Sequence, residues 1–158
     1  MDIKLSQKER MLLEDQKNHE QICIEKYKNY ASQASDPQLK QIFSANGQGE
    51  QEHLNSINQL LGGRLPQTGQ QGQNSAQSQP QAAGQAKQAS PAAVKSDKEM
   101  CTDMLMTEKY VSGTYNTAVF EFQDTRVRDV LNHIQKEEQK HGEAIFQYMH
   151  SKGMYQPQ

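Results

Sequence analysis

The chain carries Glu50-Gln51-Glu52-His53 and, 88 residues further on, Glu138-Gln139-Lys140-His141. Each quartet sets an acid and a histidine three residues apart, which is one face of a helix. Each also follows another glutamate, Glu20 or Glu108, by 30 residues. Three- and four-residue steps around these groups trace four apolar stripes. The first runs Leu13, Gln16, Glu20, Cys23, Tyr27, Ala31, Ala34, and the second Leu39, Phe43, Asn46, Glu50, His53, Ile57, Leu60. The third runs Cys101, Met104, Glu108, Val111, Tyr115, Val119, Phe122, and the fourth Val127, Leu131, Ile134, Glu138, His141, Ile145, Met149. A glutamate therefore stands on the inward face of every helix, and a histidine accompanies it on the second and fourth.

The stripes belong to a repeat. With a shift of 88 residues and no gap, residues 15–59 align with 103–147 and share nine identities, among them Glu20/Glu108, Tyr27/Tyr115, Asp36/Asp124, Glu50/Glu138 and His53/His141. Ser6-Gln7-Lys8-Glu9 and Ser96-Asp97-Lys98-Glu99 have the spacing of capping boxes. Asp36-Pro37 is a helix start, and Gly62-Gly63 a helix stop. Asp124 caps a fourth helix that ends near Lys152-Gly153, after a third that runs to about Gln123. No apolar/polar alternation is bounded by hairpin dipeptides. The expectation is an all-α four-helix bundle made of two repeated hairpins, 1–62 and 96–158.

Between them, residues 63–95 are rich in Gln, Gly, Ser, Pro and Ala. Such a stretch buries too little surface to offset the entropy of ordering, so it reads as a flexible crossover. At about 3.3 Å per residue it is long enough to pair the hairpins within one chain or between two swapped chains.

Composition narrows the function classes. The 158 residues hold 17 Lys+Arg against 19 Asp+Glu, which leaves no basic field for nucleic acid. The 24 glutamines bring mean hydropathy down to -0.98, and no apolar run is long enough to span a bilayer. Met1-Asp2-Ile3-Lys4 is too polar for a secretory signal, and two cysteines are too few for a disulfide scaffold. These features point to an intracellular protein.

Four carboxylates converging on one apolar core are very unfavourable alone, because each costs several kcal/mol or takes up a proton. Two divalent cations cancel them. A glutamate from each of two helices with Glu-x-x-His from each of the other two is the di-iron or di-manganese arrangement of four-helix bundles. The candidate ligands are Glu20, Glu50, His53, Glu108, Glu138 and His141, and the candidate cofactor is a pair of iron or manganese ions. The opposing reading is a set of protonated or hydrated core groups that holds no metal.

The repeat and these ligands resemble the ferritin-like superfamily of ferritins, bacterioferritins and rubrerythrins. Glu108-Lys109-Tyr110, Val127 to Ile134, His141 to Met149 and the ending Lys152-Gly153-Met154-Tyr155 are similar to the coat F family of spore coat proteins. That likeness covers about residues 97–156, with the N-terminal half resembling a diverged copy. It implies a ferritin-like fold and a place in the coat of an endospore, after synthesis in the mother-cell cytoplasm. It further implies other coat proteins as partners, with a homo-oligomer such as a dimer expected, and no established enzyme activity. By the ferritin-like pattern, Glu50 and Glu138 would bridge the metals, with Glu20 and Glu108 terminal. A redox-active pair would make the protein a peroxide-scavenging or ferroxidase-type oxidoreductase, and an empty core a purely structural coat protein.

Other residues carry smaller expectations. Tyr27 and Tyr115 read as core tyrosines with bonded hydroxyls, or else as groups serving a metal site. Gly47 and Gly49 lie inside a helix at about 1 kcal/mol each relative to Ala, which suggests a π-bulge, an open turn or a weak helix. Cys23 falls on a stripe and reads as an inert small hydrophobe. Cys101 stands near a helix start, where a thiolate is favoured, and an intermolecular disulfide is conceivable there. His19, His133 and His150 fall off the stripes or at their edge. Lys87 and Lys95 beside the glutamines raise the idea of isopeptide cross-linking in a coat.

Overall fold

Ser6 and Ser96 start the two hairpins in the same way. Each serine Oγ accepts the N–H of the residue three on, Glu9 or Glu99, at 3.2 Å, and each glutamate accepts the serine N–H at 2.7 Å. Asp36 and Asp124 cap the second helix of each hairpin through the N–H of Gln38 and Arg126. The structure, a computed structural model, describes residues 3–67 and 95–158. Within them lie α1 (Gln7–Gln33), α2 (Pro37–Leu61), α3 (Asp97–Val119) and α4 (Thr125–Ser151), and no strand. The Gln-rich segment 68–94, with Lys87, lies outside the described residues. The first residues assigned to that crossover belong to the fold instead: Leu65 packs against the core and Pro66 is buried.

α1 packs on α2 and α3 on α4, and the hairpins join through α1 with α3 and α2 with α4. All four neighbours are antiparallel. Lys8 reaches Glu121 while Lys26 reaches Asp103, and Asp36 meets Lys152 while His53 meets Glu138. α2 and α3 therefore run the same way, and the end of α2 lies across the bundle from the start of α3.

The hairpins dock by a repeated contact. Glu9 accepts the Gln123 N–H of the α3–α4 turn at 2.9 Å. Asp97, the repeat partner of Glu9, accepts the Ser35 and Asp36 N–H groups of the α1–α2 turn at 2.8 and 3.0 Å. This docking shortens α3, which stops at Val119 rather than near Gln123. Residues 120–124 turn instead, and the Gln123 N–H goes to the other hairpin.

The stripes on α2 and α4 are buried at every expected position. On α1 and α3 one position each is displaced, with Tyr30 buried in place of Ala31 and Ala118 in place of Val119, while Ala34 and Phe122 beyond them are buried as expected. Two apolar clusters result. One holds Leu13, Ile57, Leu131 and Ile134, and the other Phe43, Met100, Met104 and Ile145. Between these layers lie the charged groups.

Candidate metal centre

Burial of Glu20, Glu50, Glu108 and Glu138 is nearly complete, at 0–2% exposure, and His53 and His141 are 5% and 8% exposed. All six expected ligands meet in one place. They form two overlapping groups, Glu20, Glu50, His53, Glu138 and Glu50, Glu108, Glu138, His141, with the donor atoms of each group within 4.8 Å of one another.

The two shared residues divide their oxygens between the groups. Glu50 Oε2 lies 3.0 Å from His53 Nδ1, and its Oε1 lies 3.2 Å from His141 Nδ1. Glu138 does the same from the opposite helix, with each oxygen 3.4 Å from one imidazole Nδ1. Glu20 Oε2 closes the first group at 3.7 Å from His53, and Glu108 Oε1 the second at 3.6 Å from His141.

Each imidazole Nδ1 faces three carboxylates but carries at most one hydrogen to donate. Glu20 Oε2, Glu108 Oε2 and both oxygens of Glu138 are buried without a hydrogen-bond partner among the described residues. Buried oxygens left this way are costly. Three carboxylates and one imidazole nitrogen suit a hard or borderline divalent cation. The donor set thus fits two such ions.

Protonation reflects the crowding. Burial opposes the charged form of His53, yet Glu138, Glu20 and Glu50 raise its pKa to about 12. His141 is raised in the same way to about 11, by Glu108, Glu138 and Glu50. Burial lifts Glu108 to about 7, with the Glu138 charge adding to the effect. Glu20 is also raised, by burial and by Glu50. The imidazolium forms thus supply positive charge in place of a metal.

An outer layer holds Glu20 and Glu108. The Tyr27 hydroxyl donates to Glu108 and the Tyr115 hydroxyl to Glu20, so each tyrosine serves the other hairpin. Both are fully buried, and burial pushes both phenols well above their usual pKa. The core reading of the tyrosines holds, with both hydroxyls bonded, and the groups they bond are candidate ligands. Asn46 donates to the Tyr27 oxygen at 3.2 Å, whereas its repeat partner is Ile134. Asn46 lay on the stripe, but its role had no separate signal.

Gly47 and Gly49 are not a bulge. α2 runs through them without interruption. A Cβ at Gly49 would lie 2.6 Å from His141 Nε2, and one at Gly47 would lie 3.1 Å from Tyr27 Cβ. A glycine suits each position because the His141 ring and Tyr27 press on the helix backbone there.

The remaining expectations divide. Cys23 is buried, and burial holds its thiol well above the usual range, as an inert group requires. Cys101 is also fully buried, and burial followed by Asp97 pushes its pKa up to about 12. That removes both the thiolate and the exposed disulfide partner expected there, because a thiol reacts through its exposed thiolate. His133 and His150 are exposed, while His19 is half-buried edge-on to Tyr110. Lys95 donates to the Tyr30 hydroxyl at 2.8 Å.

No helix among the described residues is long and apolar enough to cross a membrane. No curated protein and no solved structure matches the chain significantly. Residues 96–158, which carry Glu108, Glu138 and His141, match the Coat F domain family, and that domain indicates a spore coat protein.

Proposed function

We propose that this spore coat protein holds two divalent metal ions, iron or manganese, in its bundle core. Glu20 and His53 would serve one ion, Glu108 and His141 the other, and Glu50 and Glu138 both. The observation that carries the reading is the division of both central carboxylates, one oxygen to each histidine. The ligand pattern, the antiparallel order of the helices and the long α2–α3 connection support a ferritin-like relationship. Other coat proteins, and a second copy of the chain, are the partners this role implies.

The test is metal content by elemental mass spectrometry on protein without a metal-binding tag, against an E50A/E138A variant. About two ions per chain, lost in the variant, is the expected result. No bound metal after anaerobic iron loading would leave a structural coat protein with a protonated core.

A second reading, an oxidoreductase that consumes peroxide or oxygen, is favoured by an opening in the core wall: Glu108 and Glu138 line a cleft that reaches the surface. A bound metal pair would supply two electrons, and the four carboxylates would accommodate the change of charge. Peroxide consumption by metal-loaded protein separates the two readings.

A further inference from the structure

The two halves of the site are not equally enclosed. Between α3 and α4 lies a cleft of about 450 Å³, with Glu108 and Glu138 among its lining groups. Leu105, Ser112, Gly142, Phe146 and Tyr155 form its walls. The space exists because side chains are missing. A Cβ on Gly142 would sit 3.8 Å from both Glu108 Cβ and Leu105 Cδ1, in ordinary contact, so a side chain at this position would enter the cleft without a clash at its first atom.

The first hairpin carries larger side chains at the equivalent positions. Under the repeat, Gly142 corresponds to Leu54 and Ser112 to Ile24, and both of these are half-buried. The cleft between α1 and α2 reaches Tyr27, but its lining includes neither Glu20 nor Glu50.

The C-terminus gives this cleft a rim. Gly153, at φ 70°, ends α4 in a Schellman turn. Its N–H goes to His150 O at 3.1 Å, and the Met154 N–H goes to Met149 O at 2.8 Å. Met154 is thereby packed on the core, and Tyr155 is turned back against Phe146, ring centroids 5.2 Å apart. Tyr155 remains 37% exposed at the mouth.

We propose that only the metal position served by Glu108 and His141 is open to exogenous ligands, which enter between Gly142 and Ser112 past Tyr155. This rests on the metal reading above. The ligand class is a small molecule of a few atoms with an oxygen or nitrogen donor, such as water, peroxide or azide. The position served by Glu20 and His53 is closed by Leu54 and Ile24. The Lys-Gly-Met-Tyr ending thus builds an entrance to the site.

The experiment loads the full chain with Co(II), counts the metal, and titrates azide while following the visible absorption of the bound cobalt. Wild type is expected to bind two cobalt ions and one azide. G142L is expected to keep both cobalt ions and to lose at least tenfold in azide affinity. Y155A, which leaves the helix packing intact, is expected to take up azide faster with unchanged cobalt content. Two azides per chain, or wild-type azide binding by G142L together with an unchanged rate in Y155A, overturns the proposal alone. Absence of bound cobalt overturns the metal reading and this proposal with it.

Discussion

The imidazole rings of His53 and His141 lie 5.5 Å apart and 27° from parallel, each with Nδ1 turned toward both Glu50 and Glu138. Two cations this close in an apolar core would repel strongly. They are tolerated because four carboxylates surround them. Without metal, the fold therefore holds more protons at this centre than the unfolded chain does.

Stability without metal should fall as pH rises. Glu108 has its pKa raised from the ordinary 4.5 to about 7, so its favourable contribution is present below 4.5 and is lost by about 7. The histidines are raised from 6.5 to about 12 and about 11, so their contribution is complete below 6.5 and is lost toward 11–12. Both effects have one sign, because the folded state binds more protons. The lowered acids, such as Asp103, act in the opposite direction but at lower pH. Thermal melts of metal-free protein should give a higher Tm at pH 5.5 than at pH 8.5. A flat or rising Tm over that window would mean that the imidazoles are neutral in the fold.

Metal uptake should release protons. A ligating imidazole must offer its Nδ1 lone pair, and both histidines are protonated near neutral pH by the carboxylates around them. Calorimetry at pH 7 in buffers of different ionisation enthalpy should find more than two protons released per chain on loading, two from the imidazoles and the rest from Glu108 and Glu20, whose pKa values are also raised. Zero release would place the ions elsewhere.

Gly49→Ala should damage the site more than the fold. Its Cβ would lie 2.6 Å from His141 Nε2 and 2.9 Å from Cε1, so the ring must leave its place. A control is Gly113→Ala, where nothing lies within 4 Å on an exposed helix face. There the helix gains about 0.5–1 kcal/mol and Tm should rise by a few degrees. In G49A, metal retention should fall while far-UV circular dichroism still reports four helices. Full metal retention in G49A would show that His141 is not a ligand.

How far the sequence revealed this site can be judged from its glycines. The six candidate ligands were legible as a cluster because glutamate and histidine on an apolar stripe are anomalous, and anomalies that repeat at one spacing are hard to attribute to chance. The helix starts were legible because Ser-x-x-Glu and Asp-Pro are local chemistry. Gly49 was visible as an oddity, but its cause was not, because the atom that requires it sits 92 residues away on α4. Gly142 gives no local signal of its own, and only its Leu54 counterpart shows what side chain it omits. The early end of α3 was hidden for the same reason, since Glu9 competes for the Gln123 N–H from the other hairpin.

Tyr27→Phe should weaken metal binding more than Tyr115→Phe. Each change takes a hydrogen-bond donor from a terminal carboxylate, Glu108 or Glu20. Loss of such an outer partner lowers metal affinity by about 10–100-fold. Only Tyr27 also accepts from Asn46, whose amide would then keep only the longer bond to His141 O at 3.4 Å. Competition with a chelator of known affinity would rank the variants. Equal losses would mean that Asn46 finds another partner.

Glu9→Ala should cost more stability than Asp97→Ala, although the two acids are repeat partners. Glu9 is 4% exposed and accepts two backbone N–H groups, from Ser6 at 2.7 Å and Gln123 at 2.9 Å. Alanine would leave both donors in a partly buried place, at about 1–3 kcal/mol. Asp97 likewise accepts two N–H groups, from Ser35 and Asp36, but it is itself only half-buried where Glu9 is buried. Water can replace much of what Asp97 provides, so its loss should approach the ~1 kcal/mol of an ordinary helix-start contact. Urea unfolding of the two variants measures the difference directly. If D97A lost as much as E9A, the docking of the hairpins would depend on the bonds themselves rather than on their shelter from solvent.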